Sequence, residues 1–144
     1  MPTLASSPNN FEIHPVRVLL VDDSAHVRSE LRQLLELSGV MEIVGEAGDG
    51  LEAVRRAGEL TPDAIVMDIE MPIMDGCEAT RQIKALTPAP RIVILSVHAG
   101  LAEQKALESG ADSFVVKGAS YQVLVNAILG KDGKTNNSEK GEKS

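Results

Sequence analysis

A chain of 144 residues with 43 % apolar and 24 % charged side chains has the composition of one globular domain with its own core. Its formal net charge of −7 argues against a nucleic-acid-binding face, which needs clustered Lys and Arg to neutralise phosphates. Aromatics at 2 % leave the core to Val, Ile, Leu, Ala and Met, and the single cysteine, Cys77, excludes an intramolecular disulfide.

Residues 1–15 are rich in Pro, Ser and Asn and are expected to form a flexible extension. β-Branched runs follow at residues 16–21, 41–47, 64–67, 91–95 and 113–116, several of them apolar on both faces, as strands sandwiched between helices should be. A helical stretch follows each run. In the first, Val27, Leu31, Leu34 and Leu35 make one apolar stripe, with Asp23 or Ser24 as cap and Gly39 as stop. The middle three, near residues 50–58, 75–86 and 101–109, are less regular. The stretch at 101–109 is the least apolar, with Glu103, Gln104, Lys105 and Glu108 close together. The last stretch repeats the helical spacing in Tyr121, Leu124, Val125, Ile128 and Leu129, between Ser120 as cap and Gly130 as stop. Residues 131–144 hold no large apolar side chain and are expected to be a disordered polar tail or linker, which leaves residues 16–130 as the domain. No stretch approaches the roughly 20 apolar residues of a membrane span, and no signal peptide is evident, so the expected location is the cytoplasm.

Repeated strand–helix units imply an α/β fold with a parallel sheet covered on both faces. In such sheets the site lies beyond the carboxyl ends of the strands. Those ends carry Asp22 and Asp23, then Asp68, Ser96 and Lys117. Any one of these has an ordinary explanation, a helix cap or a solvated lysine. Together, three carboxylates on one sheet edge repel, and the site needs a proton or a cation. A hard divalent ion such as Mg²⁺ prefers such oxygen ligands, and an aspartate can act as a nucleophile toward phosphorus. The parts suit phosphoryl transfer, with Asp68 as nucleophile, Asp22 and Asp23 on the metal, and Lys117 and Ser96 on the phosphoryl oxygens.

Four segments, Val18-Leu19-Leu20-Val21-Asp22-Asp23-Ser24, Ile65-Val66-Met67-Asp68-Ile69-Glu70-Met71-Pro72-Ile73-Met74-Asp75-Gly76, Ile94-Leu95-Ser96-Val97-His98-Ala99 and Gly110-Ala111-Asp112-Ser113-Phe114-Val115-Val116-Lys117, resemble bacterial two-component response-regulator receivers. The resemblance implies a flavodoxin-like (βα)5 sandwich with strand order 2-1-3-4-5. It also implies roles: Asp68 as phosphoacceptor, Asp23 as direct Mg²⁺ ligand, Asp22 as a ligand through water and the backbone carbonyl of Glu70 as a third ligand. Ser96 and Phe114 would be the switch pair and Lys117 the phosphoryl-contacting lysine. The implied partners are a histidine kinase or histidine phosphotransfer protein as donor and an output protein of unknown identity. The chain is then a signalling phosphoacceptor and not an enzyme, monomeric or weakly dimeric when phosphorylated, without direct contact to nucleic acid or membrane.

Gly118 follows the lysine where many receivers have proline, so the sequence leaves open whether the usual cis peptide forms there. Glu70 is placed to alter the approach of water to the phosphorylated acceptor, and His98 is expected at the surface. The output face is expected around residues 101–109, the last strand and the helix after Ser120, because a weakly packed helix reorients at low cost. The last strand and helix resemble receivers joined to helix-turn-helix domains, so a receiver portion of a longer DNA-binding regulator is the alternative to a stand-alone switch. A folded but unphosphorylated receiver is the second alternative. A phosphatase of the haloacid-dehalogenase type would need Asp at position 70, and a flavodoxin-like cofactor binder would need a Gly/Ser/Thr-rich loop at Asp22 and Asp23. Cys77 and Met67, Met71 and Met74 are expected to be packing residues, and Glu46, Asp49 and Glu52 a solvated face.

Overall fold

The computed structural model describes residues 14–132; residues 1–13 and 133–144 of the two expected flexible segments lie outside the described residues. The apolar runs become five parallel strands: β1 (Val16–Val21), β2 (Met41–Ala47), β3 (Ala64–Asp68), β4 (Arg91–Ser96) and β5 (Ser113–Val116). Five helices alternate with them: α1 (Ala25–Glu36), α2 (Gly50–Leu60), α3 (Gly76–Lys84), α4 (Leu101–Glu108) and α5 (Tyr121–Leu129). The sheet order is β2-β1-β3-β4-β5, the flavodoxin-like topology.

Period-two alternation divides the core. Val18 and Leu20 of β1, Val66 of β3 and Val93 and Leu95 of β4 pack on Leu35 of α1 and Leu124, Val125 and Ile128 of α5. Their neighbours Leu19, Val21, Ile65, Met67, Ile92 and Ile94 pack on Ala53 and Ala57 of α2, Ala79 and Ile83 of α3, and Ala106 of α4. Full burial of each such aliphatic side chain is worth about 1.5–3 kcal/mol, and small Ala residues let the helices approach the sheet. Among the described residues no helix is long and apolar enough to cross a membrane.

Local signals set the helix starts. Ser24, Asp49, Asp75 and Ser120 each accept a hydrogen bond from the N–H three residues on, capping α1, α2, α3 and α5. Asp23 is not the α1 cap. The expected α1 stripe is narrower than its sequence: Leu35 is buried, Leu31 packs partly, and Leu34 is exposed because α1 lies at the margin of its face. α4 starts at Gly100 without a side-chain cap and buries Ala106 alone, with Leu101 and Leu107 exposed. Glu46, Asp49 and Glu52 are not a solvated face. Glu46 is paired with Arg28 and Arg32, Asp49 caps α2, and Glu52 accepts the Gly48 N–H. Asp132 pairs with Arg91 and accepts the Ser113 hydroxyl, so order extends into the expected tail.

Candidate functional site

Register places the side chains. Val21 of β1 pairs with Met67 of β3, so Asp22 and Asp68 come next, side by side. Asp68 pairs with Leu95 of β4, and Ser96 pairs with Val116 of β5, which brings Ser96 and Lys117 to the same edge. Strands about 4.8 Å apart make these residues neighbours although up to 95 positions separate them in the chain.

Carboxylate oxygens of Asp22, Asp23 and Asp68 lie within 4.8 Å of one another. Asp22 and Asp68 are buried and Asp23 is exposed. Lys117 Nζ stands 3.4 Å from Asp22 Oδ2 and 3.5 Å from Asp68 Oδ2, shared between them. The other Asp22 oxygen accepts the Ser24 N–H at 2.9 Å. Burial pushes the Asp68 carboxyl above the usual carboxylate range. Asp22 adds to the rise, while Lys117 and the Glu70 backbone N–H pull against it without prevailing. Burial alone would lower the Lys117 ammonium, but Asp68 and Asp22 outweigh it and hold its pKa above the usual lysine range. The cluster therefore carries more negative charge than its lysine offsets, and its oxygens are spaced for one small cation.

The other expected residues surround this centre. Ser96 is buried at the end of β4, and its Oγ accepts the His98 N–H at 3.2 Å. Phe114 packs partly against the α2–α3–α4 face. The Glu70 side chain is exposed and is not part of the carboxylate cluster. His98 is exposed, as expected. The Lys117–Gly118 peptide is not among the cis bonds, and Gly118 has φ of 98°. Cys77 is buried, and burial pushes its thiol up, which suits a packing role. Met67 is fully buried, and Met71 and Met74 pack partly against the same cluster.

Arg28, which the sequence reading passed over, and Glu46, which it placed on a solvated face, back the site. Arg28 of α1 donates from Nη1 to the Asp22 backbone carbonyl at 2.6 Å and from Nε to Glu46 Oε1 at 2.8 Å. No local signal marked this meeting: Glu46 lies on β2 opposite Leu20, two positions before Asp22, and Arg28 and Arg32 stand one turn apart on α1, the preceding helix.

The family model for the response regulator receiver domain matches residues 18–129. Protein-glutamate methylesterase/protein-glutamine glutaminase of Caldanaerobacter subterraneus subsp. tengcongensis is 48 % identical over 104 residues, 71 % of this chain. The aligned part is only 28 % of that relative's length. Among solved structures, the response regulator domain of Thermotoga maritima CheB is 38 % identical with a TM-score of 0.74, covering 82 % of this chain and 96 % of that one. A two-component response regulator of the LuxR family from Aurantimonas sp. SI85-9A1 is 42 % identical with a TM-score of 0.76, covering 81 % and 84 %. Sheet order, strand-end acids and sequence agree: this chain belongs to the response regulator receiver family.

Proposed function

We propose that the chain is the phosphoaccepting switch of a two-component phosphorelay, with Asp68 as acceptor and a histidine kinase or histidine phosphotransfer protein as donor. The observation that carries this reading is the convergence of Asp22, Asp23 and Asp68 within 4.8 Å, with Lys117 on two of them. The donor set fits Mg²⁺: hard carboxylate oxygens, an excess of negative charge and one exposed member open to solvent. Asp23, Asp68 and the Glu70 carbonyl would hold the ion directly, and Asp22 through water. When bound, Mg²⁺ neutralises charge on the phosphoryl oxygens.

The chain's own residues do the rest. An Asp68 carboxylate oxygen attacks phosphorus in line, forming a P–O bond as the donor's P–N bond breaks. The electron pair leaves with the imidazole, which takes a proton from solvent. Lys117 exchanges its shared carboxylate contacts for a phosphoryl oxygen. The product adds about −1.5 to −2 of charge at a buried strand end. Ser96 responds by giving up its bond to the His98 N–H and turning its hydroxyl to the phosphoryl group, and Phe114 turns inward behind it. The surface of α4, β5 and α5 carries the signal outward. The support there is α4 itself, held in the core by Ala106 alone. Glu70, exposed two positions beyond the acceptor, governs the approach of hydrolytic water. The esterase and glutaminase named for the relative are not transferred to this chain, which spans 28 % of that protein.

Incubation with a small acyl phosphate, with and without Mg²⁺, followed by intact-mass analysis tests the chemistry. One metal-dependent, base-labile phosphoryl addition that Asp68→Asn abolishes is expected. No addition under any condition overturns the proposal and favours the unphosphorylated receiver. Amide chemical shifts on phosphorylation test the switch: changes confined to α2 and α3 overturn the assignment of the output face.

A further inference from the structure

Asp22 and Asp23 enter the site from one short turn, yet they are held in different ways. The Asp22 carboxylate is fixed on both oxygens, by the Ser24 N–H and by Lys117. The Asp23 carboxylate is exposed, and no hydrogen bond or ion pair to it is found among the described residues. Its position therefore follows from the backbone, above all from the peptide that joins it to Asp22. The carbonyl of that peptide is the group that Arg28 Nη1 holds at 2.6 Å.

We propose that Arg28 is a positioning residue for the cation site: its guanidinium ties the Asp22–Asp23 peptide to Glu46 on β2 and so sets where the Asp23 carboxylate stands. This rests on the reading of the acidic cluster as a divalent-cation site. The planar fork reaches both acceptors at once, the carbonyl through Nη1 and Glu46 Oε1 through Nε at 2.8 Å. Glu46 is a firm anchor because its second oxygen accepts from Arg32 Nε at 2.9 Å. Arg28 also brings positive charge to the rim of the cluster without occupying a carboxylate oxygen, so it does not compete with the cation. Lys117 sits on the carboxylates themselves and must yield. Metal–ligand distances tolerate deviations of only about 0.2 Å, so a peptide free to rotate at Asp22 costs affinity even where every ligand is present.

Mg²⁺ titration of the full chain by calorimetry, paired with urea unfolding in EDTA, tests the clamp. Arg28→Met is expected to weaken Mg²⁺ binding by about 10-fold or more, the usual effect of removing a group that orients a ligand. Arg28→Lys keeps the charge but not the fork and is expected to stay weakened. Arg32→Met loosens Glu46 without touching the Asp22 carbonyl and is expected to stay much closer to wild-type affinity. Wild-type affinity in Arg28→Met, full recovery in Arg28→Lys, or an equal loss in Arg32→Met overturns the proposal. Should Arg28→Met not fold, Glu46→Met removes the acceptor at the other end of the clamp, and unchanged Mg²⁺ binding there overturns it equally. A wild-type chain that binds no Mg²⁺, or an Asp23→Asn variant with undiminished affinity, overturns the cation-site reading itself. An unaffected Arg28→Met beside a weakened Asp23→Asn removes the clamp alone.

Discussion

Gly76 opens α3 against the backbone of the strand end that carries Asp68, and adding one methyl group there attacks the site from behind. A Cβ at Gly76 would stand 2.9 Å from Ile69 Cα and 3.1 Å from the Asp68 carbonyl carbon, and nearer still to the Asp68 carbonyl oxygen. All three are backbone atoms, and ordinary contact begins at 3.4 Å, so relief requires a backbone shift of about 0.5 Å or more at residues 68 and 69. Over-packing of this kind costs about 1–3 kcal/mol. The displaced residue is also the proposed nucleophile, where misplacement on the order of 1 Å costs about 100-fold in rate. Gly76→Ala is therefore expected to lower the urea midpoint and to slow Mg²⁺-dependent phosphoryl addition by about 10-fold or more, followed by intact mass. Gly58→Ala is the matched control. Its Cβ meets nothing within 4 Å, and a glycine inside a helix is less favourable than alanine by about 0.5–1 kcal/mol, so this variant is expected to gain stability. A Gly76→Ala protein with the wild-type midpoint and rate refutes the reasoning, as does a Gly58→Ala protein destabilised to the same extent.

Three further outcomes are expected. With Mg²⁺ chelated, Asp68→Asn raises the urea midpoint at neutral pH, because burial, with Asp22, holds the Asp68 carboxyl above its usual range. A carboxyl raised on folding binds its proton more tightly in the folded state, so the penalty grows as pH rises from the ordinary carboxylate range through the raised value and vanishes below that range. A midpoint difference that does not change with pH refutes this. Glu46 has the opposite sign: burial alone would raise it, but hydrogen bonds from Arg28 and Arg32 outweigh burial and hold it low. Glu46→Gln is expected to cost about 1 kcal/mol at neutral pH, a cost that fades as acid takes the wild type through the lowered value, read from urea midpoints across pH. Ile94→Ala, at a site with 0 % exposure on β4, is expected to cost about 2–5 kcal/mol by urea unfolding.

Much of this architecture is legible along the chain because it is local. Val16–Val21 and Met41–Ala47 are strands where their β-branched runs lie, and Ser24 and Ser120 cap where short polar side chains precede an apolar period. The acids, the hydroxyl and the lysine were found by position, because the strand ends of a parallel sheet share one edge. The partners of Glu46 were not legible. Arg28 and Arg32 reach it from the preceding helix across the sheet margin, and no local period encodes that meeting. Leu34 carries the α1 stripe but stays exposed, since periodicity names a helix face without saying how much of that face the neighbours cover. Asp132 belongs to a stretch with no large apolar side chain, yet Arg91 and Ser113 hold it through polar contacts that composition does not register.

The order of runs, caps and strand-end residues determined the fold class and the candidate chemistry, because both follow from side-chain periods and from the end at which a parallel strand stops. Tertiary structure decided the rest: that three carboxylates gather within 4.8 Å, that Lys117 is shared between two of them, and that a guanidinium holds the peptide joining Asp22 to Asp23. Those distances link Asp22 to residues as far as 95 positions away, and Arg28, though only six positions on, is held from its other side by Glu46 of β2. They are set by register, helix packing and burial acting together, and only the folded sheet brings them to a value.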